Sequence, residues 1–196
     1  MEEIESSLDA SQYLPATTHY EAAFKQLLLN IYSCYQLMIV DNIRVPANDE
    51  NTIRDRLLEY LQNTEIRQEI CIISGFRFDK EVDEGTGRVD IKIININDFE
   101  EHEAYYIIEC KRLDGTGVLN RNYVAQGINR FTTNYYSSHY GVNGMIGFVV
   151  AHFDIDGNMR NIETFFHVLE KDKLYESIHR DLKLYHLMMD FSSNVI

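Results

Sequence analysis

Long apolar runs are missing from this sequence. No stretch reaches the roughly 18 consecutive apolar residues that a membrane-spanning helix needs, which argues against a helical membrane protein. The opening MEEIESSLDASQYLP has neither the basic start nor the apolar run of a secretory signal, so a cytoplasmic protein without membrane association is expected. Cysteine is scarce: Cys34, Cys71 and Cys110 stand in apolar surroundings without C-x-x-C spacing. They are expected to be buried, reduced thiols, which excludes a disulfide frame and a zinc site. The seven histidines form neither an H-x-x-x-H pair nor a Cys/His cluster, a second argument against zinc. No G-x-S-x-G turn supports a hydrolase triad, and neither GTG (85–87, 115–117) is followed by the G-K-[ST] of a phosphate loop. Both are expected to be turns. Positive charge is also short, at 18 Lys and Arg against 31 Asp and Glu, giving a net −13. That weighs against a simple nucleic-acid binder, which usually carries a basic face. A total is not a patch, however. The acids crowd into DKEVDEG and NDFEEHEA, and bases gather around 111–130.

What is present fits one domain of 196 residues, with 45% apolar residues available for a core. Residues 1–16 lack periodicity and are expected to form a flexible arm, with a single domain over 17–196. Helical spacing predicts a helix from Thr17 to about Asp41 with Thr18 as cap, and Pro46 breaks the chain. Asn48 or Asp49 is placed to cap a second helix, ENTIRDRLLEYLQNT. EICIISGFRF, RVDIKIINI and EAYYIIECKRL are predicted strands, with DKEVDEGTG a turn. NRNYVAQGINRFTTNYYSSHY is predicted as a helix and GMIGFVVAHFDI as a strand. A C-terminal helix (LEKDKLYESIHRDL) and strand (KLYHLMMDF) over 168–192 complete the chain. The order predicts an α/β protein, a mixed central sheet flanked by helices with an N-terminal helical extension and a core over 48–153.

Four polar residues stand where a pure core would not put them. At about 100° per residue, Glu50 lies near the stripe of Ile53, Leu57 and Leu61. It either finds a partner there or simply favours the helix dipole from the first turn. Asp90 interrupts a strand, a position where Asp is disfavoured; Lys92 or Arg88 could pair with it. Glu109 and Lys111 lie two apart and so share one strand face, as an edge ion pair also would. If the two strands are neighbours, Asp90 and Glu109 come close enough to share a divalent cation. Two carboxylates suit Mg²⁺, and a lysine beside them suits metal-assisted phosphodiester hydrolysis. Without a cation, two such carboxylates repel each other.

GRVDI, a polar loop, YYIIECKRL and then a helix containing Gln126 together resemble the PD-(D/E)XK nuclease superfamily, the restriction-endonuclease-like fold. That pattern is a helix with Glu, a strand with Asp, a strand ending in E-x-K and a following helix that often carries Gln. Glu50, Asp90, Glu109, Lys111 and Gln126 match it in order, over residues 50 to about 150. Val89 stands where the family usually has Pro. The resemblance implies a restriction-endonuclease-like fold and metal-dependent hydrolysis of nucleic acid, DNA before RNA, in bacterial defence or repair. It implies Mg²⁺ (or Mn²⁺) on Asp90 and Glu109, with Glu50 contributing, Lys111 serving the attacking water and Gln126 supporting the site. Arg112, Arg121 and Arg130 are candidate phosphate contacts, since a guanidinium matches phosphate oxygens; ordinary surface solvation is the alternative for each. A homodimer or a protein partner would help so acidic a chain grip a duplex. The competing expectations are a catalytically silent, nuclease-like binding or regulatory module within a larger complex, and an acidic mimic of nucleic acid.

Overall fold

The computed structural model describes residues 16–84, 87–96, 105–133, 136, 140–162, 166–180 and 182–196. Residues 1–15 of the expected arm (1–16) and the NDFEEHEA stretch (97–104) lie outside the described residues, while Ala16 belongs to the first helix. Helix α1 (Ala16–Val40) is the first described element, so Thr18 lies within the helix and not before it. Asp49 caps α2 (Glu50–Gln62), accepting from the Thr52 backbone N–H at 3.1 Å. Asn63 then caps α3 (Thr64–Glu69).

Seven strands form one mixed sheet in the order β1-β2-β3-β4-β7-β6-β5. These are β1 (Phe76–Glu84), β2 (Gly87–Asn95), β3 (Tyr105–Leu113), β4 (Val142–Val149), β5 (His167–Glu170), β6 (Leu174–His179) and β7 (Leu182–Asp190). β3, β4 and β7 run parallel; the other pairs are antiparallel. This is the expected α/β class with a mixed sheet between helical layers. One core packs α1 and α2 against Ile91, Ile93, Ile108 and Phe148. The other packs Tyr123, Ile128 and Phe131 against Ile107, Met145 and Met188.

Several expected elements differ. Cys71–Ser74 of EICIIS form the short helix α4, and the strand starts at Phe76. A short apolar run cannot by itself separate the two states. DKEVDE belongs to β1, an edge strand whose charges discourage further pairing. The predicted C-terminal helix is instead a hairpin, β5 and β6 joined through Asp172 at φ 56°. Pairing of Leu174 with Leu187 buries Leu174 and Tyr175 in the sheet, and this non-local packing outweighs local helix propensity. The predicted helix around 120–140 is α5 (Gly117–Tyr123), one π turn (Val124–Ile128) and α6 (Asn129–Thr132). HFDI leaves the strand, and α7 (Ile155–Asn161), which the periodicity did not reveal, begins within it. Cys34 and Cys110 are buried as expected, whereas Cys71 is exposed. No described helix is long and apolar enough to cross a membrane.

Candidate active site

The site forms where the β1–β2 ladder skips one pair and the β2–β3 ladder ends. β1 pairs Lys80 with Ile91 and Val82 with Val89, skipping Glu81 opposite Asp90. Glu81 sits at φ 50°, a conformation that costs a non-glycine residue roughly 1–3 kcal/mol. On the other side, the ladder with β3 ends at Ile91 and Ile108, one step short of Asp90 and Glu109. The phase of β2 changes here too: Val89 packs with the second core, Ile91 and Ile93 with the first. An Asp suits this position because its short carboxylate can replace a missing ladder bond. Asp90 Oδ2 accepts from the Cys110 backbone N–H at 2.8 Å. Neither Lys92 nor Arg88 neutralises it. The partner is Arg54, whose Nη1 lies 3.1 Å from Asp90 Oδ1.

β3 delivers Glu109 and Lys111 to the face covered by α5, the π turn and α6. Glu109 is 0% exposed. Its Oε1 accepts from Lys111 Nζ at 2.8 Å and Arg130 Nη1 at 2.6 Å, and its Oε2 from the Tyr136 hydroxyl at 2.7 Å. The same hydroxyl lies 2.9 Å from the Arg88 carbonyl, but its single proton can serve only one acceptor at a time. Burial first, and then the Asp90 carboxylate, push Glu109 up to about 7 against the pull of Lys111 and Arg130.

Lys111 is the centre of the arrangement. Its ammonium lies 2.8 Å from Glu109, 3.1 Å from Glu50 and 3.9 Å from Asp90, and it donates to the Cys110 carbonyl at 2.6 Å. Burial works against the charge, yet Glu109, Glu50 and Asp90 outweigh it and hold the lysine above its ordinary pKa. Glu50 arrives from the first turn of α2; its second oxygen accepts from the Arg112 backbone N–H at 2.8 Å. Glu50 is thus a first-turn acid that also has a buried partner, Lys111. Cys110 faces the first core, and burial, then the nearby acids Asp90 and Glu50, keep its thiol protonated well above the usual range.

The other expected site residues fall differently. Gln126, in the π turn, is exposed, and its side chain joins none of the hydrogen bonds among the described residues. The adjacent Gly127 does touch the site: a Cβ there would collide with Met145 Cε and lie 3.4 Å from Lys111 Cγ. Arg130 grips Glu109 and Tyr136. Arg112 Nη1 holds the Ala47 carbonyl at 2.7 Å, while Arg121 is exposed on α5. Sequence reasoning missed Arg54 and Tyr136 as site residues.

The donor chemistry suits a magnesium ion held by one or two carboxylates and water. Each carboxylate has about four lone-pair positions. The donors named above leave at least one position open on Glu109 and more on Asp90 and Glu50. A cage of protein ligands is another matter: among the described residues, no group of three or more His, Cys, Asp or Glu is placed to hold a metal. No protein-family model, curated protein or solved structure matches this chain.

Proposed function

We propose that this chain is a metal-dependent nuclease of the PD-(D/E)XK type, hydrolysing phosphodiester bonds, with DNA as the expected substrate. One observation carries the reading: Glu50, Asp90 and Glu109, from three different elements, converge on Lys111. An accidental edge ion pair needs one acid, and it would not need a ladder interrupted on one side and ended on the other to admit a second.

Asp90 and Glu109 would hold Mg²⁺, with Glu50 beside them, and the ion would supply Lewis acidity and countercharge at the phosphoryl oxygen. Lys111 remains an ammonium in its ring of acids. Its role is therefore to donate a hydrogen bond to the attacking water and to offset charge on the phosphate; it does not accept the proton. Arg130 and Tyr136 hold Glu109 in place, so in this reading they orient a carboxylate and do not contact phosphate. Arg121 is left as the exposed cation of the three arginines for a substrate backbone.

The test is cleavage of linear, nicked and single-stranded DNA and of RNA with Mg²⁺ or Mn²⁺, then with chelator, alongside Glu109→Ala and Lys111→Ala. Chelator-sensitive cleavage that both variants lose is the expected result. No metal-dependent cleavage of any substrate would sink the proposal. A second reading, a silent nuclease-like binding module, is favoured by the way Lys111, Arg54 and Arg130 already balance the acids. It predicts partner or nucleic-acid binding indifferent to chelator.

A further inference from the structure

We infer that Arg54 is a positioning residue of this site, acting through Asp90 without touching metal or substrate. The inference rests on the metal-site reading above. Arg54 is 1% exposed, one of the largest fully buried side chains of the protein. Burying an arginine is costly unless its donors are matched, and here they are spread over three carboxylates. Nε and Nη2 hold Asp55 Oδ1 at 3.0 and 2.9 Å, Nη2 also reaches Glu81 Oε1 at 3.1 Å, and Nη1 holds Asp90 Oδ1 at 3.1 Å. A planar fork satisfies acceptors in several directions at once, which an ammonium cannot do in the same geometry.

Its place in the fold gives the contact a purpose. Arg54 lies one turn after Glu50 on α2, about 6 Å further along the axis. Glu50 takes Lys111 and the Arg112 backbone N–H of β3, while Arg54 takes Asp90 of β2. A single rigid helix therefore spans the gap where the β2–β3 ladder has ended. It holds the two strand ends that the ladder no longer holds. With Arg54 on Oδ1 and the Cys110 N–H on Oδ2, the Asp90 carboxylate has one orientation. The strained Glu81 adds its carboxylate to the same guanidinium, so the interruption of β1 and the interruption of β2 meet at Arg54.

Arg54→Lys isolates positioning from charge, because it keeps the cation and removes the fork. Mn²⁺ binding to the metal-free protein is measured by calorimetry. The expected Kd rises by about tenfold or more, the usual loss when an outer partner of a ligating group is removed. Asp55→Asn, at a partly exposed position, loosens the same fork from outside; a smaller loss in the same direction is expected. Met38→Ala, buried on α1 away from the site, should lower the thermal midpoint and leave the Mn²⁺ Kd within about twofold. Wild-type Mn²⁺ affinity in both Arg54→Lys and Asp55→Asn would overturn the inference alone. So would a matching loss in Met38→Ala. No Mn²⁺ binding by the wild-type protein would overturn the metal-site reading and the inference with it.

Discussion

Two buried polar networks lie under the same helical segment, and they solve burial in opposite ways. Near the middle of that segment, Tyr123 and Ser177 enclose His186, with hydroxyl oxygens 2.9 Å from Nδ1 and 2.8 Å from Nε2. At its end, Arg130 joins Lys111 and Tyr136 around Glu109. Both central residues are 0% exposed. Burial, with a small push from His179, drops His186 to about 3, so this network stays neutral and every ring nitrogen has a partner. Glu109 is raised only to about 7 and sits among charges. A network that only has to pack discards its charge; the second network keeps its charge and spends two cations to hold it. That contrast separates a candidate site from a structural core more sharply than burial does.

The largest effect should come from Glu109→Gln. The folded pKa of Glu109 exceeds its unfolded value near 4.5, so the native state binds the extra proton between the two. Stability from this group is fully present below about pH 4.5 and lost as pH rises through 7, by about 3 kcal/mol in all. Gln can accept from Lys111 and Arg130 and donate to Tyr136 without that charge. In chelator, urea denaturation should show Glu109→Gln gaining on wild type by about 3 kcal/mol between pH 4 and 8, while cleavage is abolished. A constant difference across that range would mean that Glu109 does not hold its proton as this environment implies.

His186→Gln breaks the other network with the opposite sign. The folded pKa of His186 lies below its unfolded value near 6.5, so the unfolded chain takes up the proton first. Its contribution is present above about 6.5 and is lost as pH falls toward 3. Wild type should lose about 2 kcal/mol relative to the variant between pH 6.5 and 5. Cleavage at neutral pH should be little changed. If the variant lost cleavage while keeping its stability, the two networks would be one, joined through Tyr123 and the π turn.

Much of the charged network was legible before the fold. Asp90, Glu109 and Lys111 break strand patterning, and the three of them with Glu50 match a known order of elements. Arg54 was not read, although a signal existed. At about 100° per residue it lies within some 60° of Leu57, Leu58 and Leu61, on the arc those leucines bury. An arginine in a helix is usually taken to lift its head into water, and only the distant Asp90 and Glu81 explain why this one does not. The β5–β6 hairpin was missed for a similar reason: its pairing with β7 is not a local property. Lys111 at the end of β3 could be placed because its alternation with Glu109 is local.

Tyr136→Phe removes one of the three donors to Glu109 and should act more gently. The lost hydrogen bond is worth about 1 kcal/mol, and the carboxylate would hold its proton more tightly. Thermal denaturation should show a small loss at pH 8 that shrinks at pH 5, where Glu109 is already protonated. If cleavage needs the ionised Glu109, its rate should rise with pH as that proton is lost, and in this variant the rise should move upward in pH. An equal loss at both pH values would mean that the hydroxyl serves the Arg88 carbonyl, its other neighbour.

Gly127→Ala should have the smallest effect on stability and still test the boundary between the networks. Alanine in a helical turn gains up to about 1 kcal/mol over glycine. The new methyl would press on Met145, whose flexible end can yield at a cost of similar size. The stability change should therefore fall within about 1 kcal/mol of zero. The same methyl would lie 3.4 Å from Lys111 Cγ, so the substitution also touches the lysine stem directly. A cleavage rate that falls several-fold at unchanged stability would mean the π turn sets the height of Lys111 above the sheet. A full gain in stability with unchanged cleavage would show instead that the turn merely covers the site, and that α2 alone fixes its geometry.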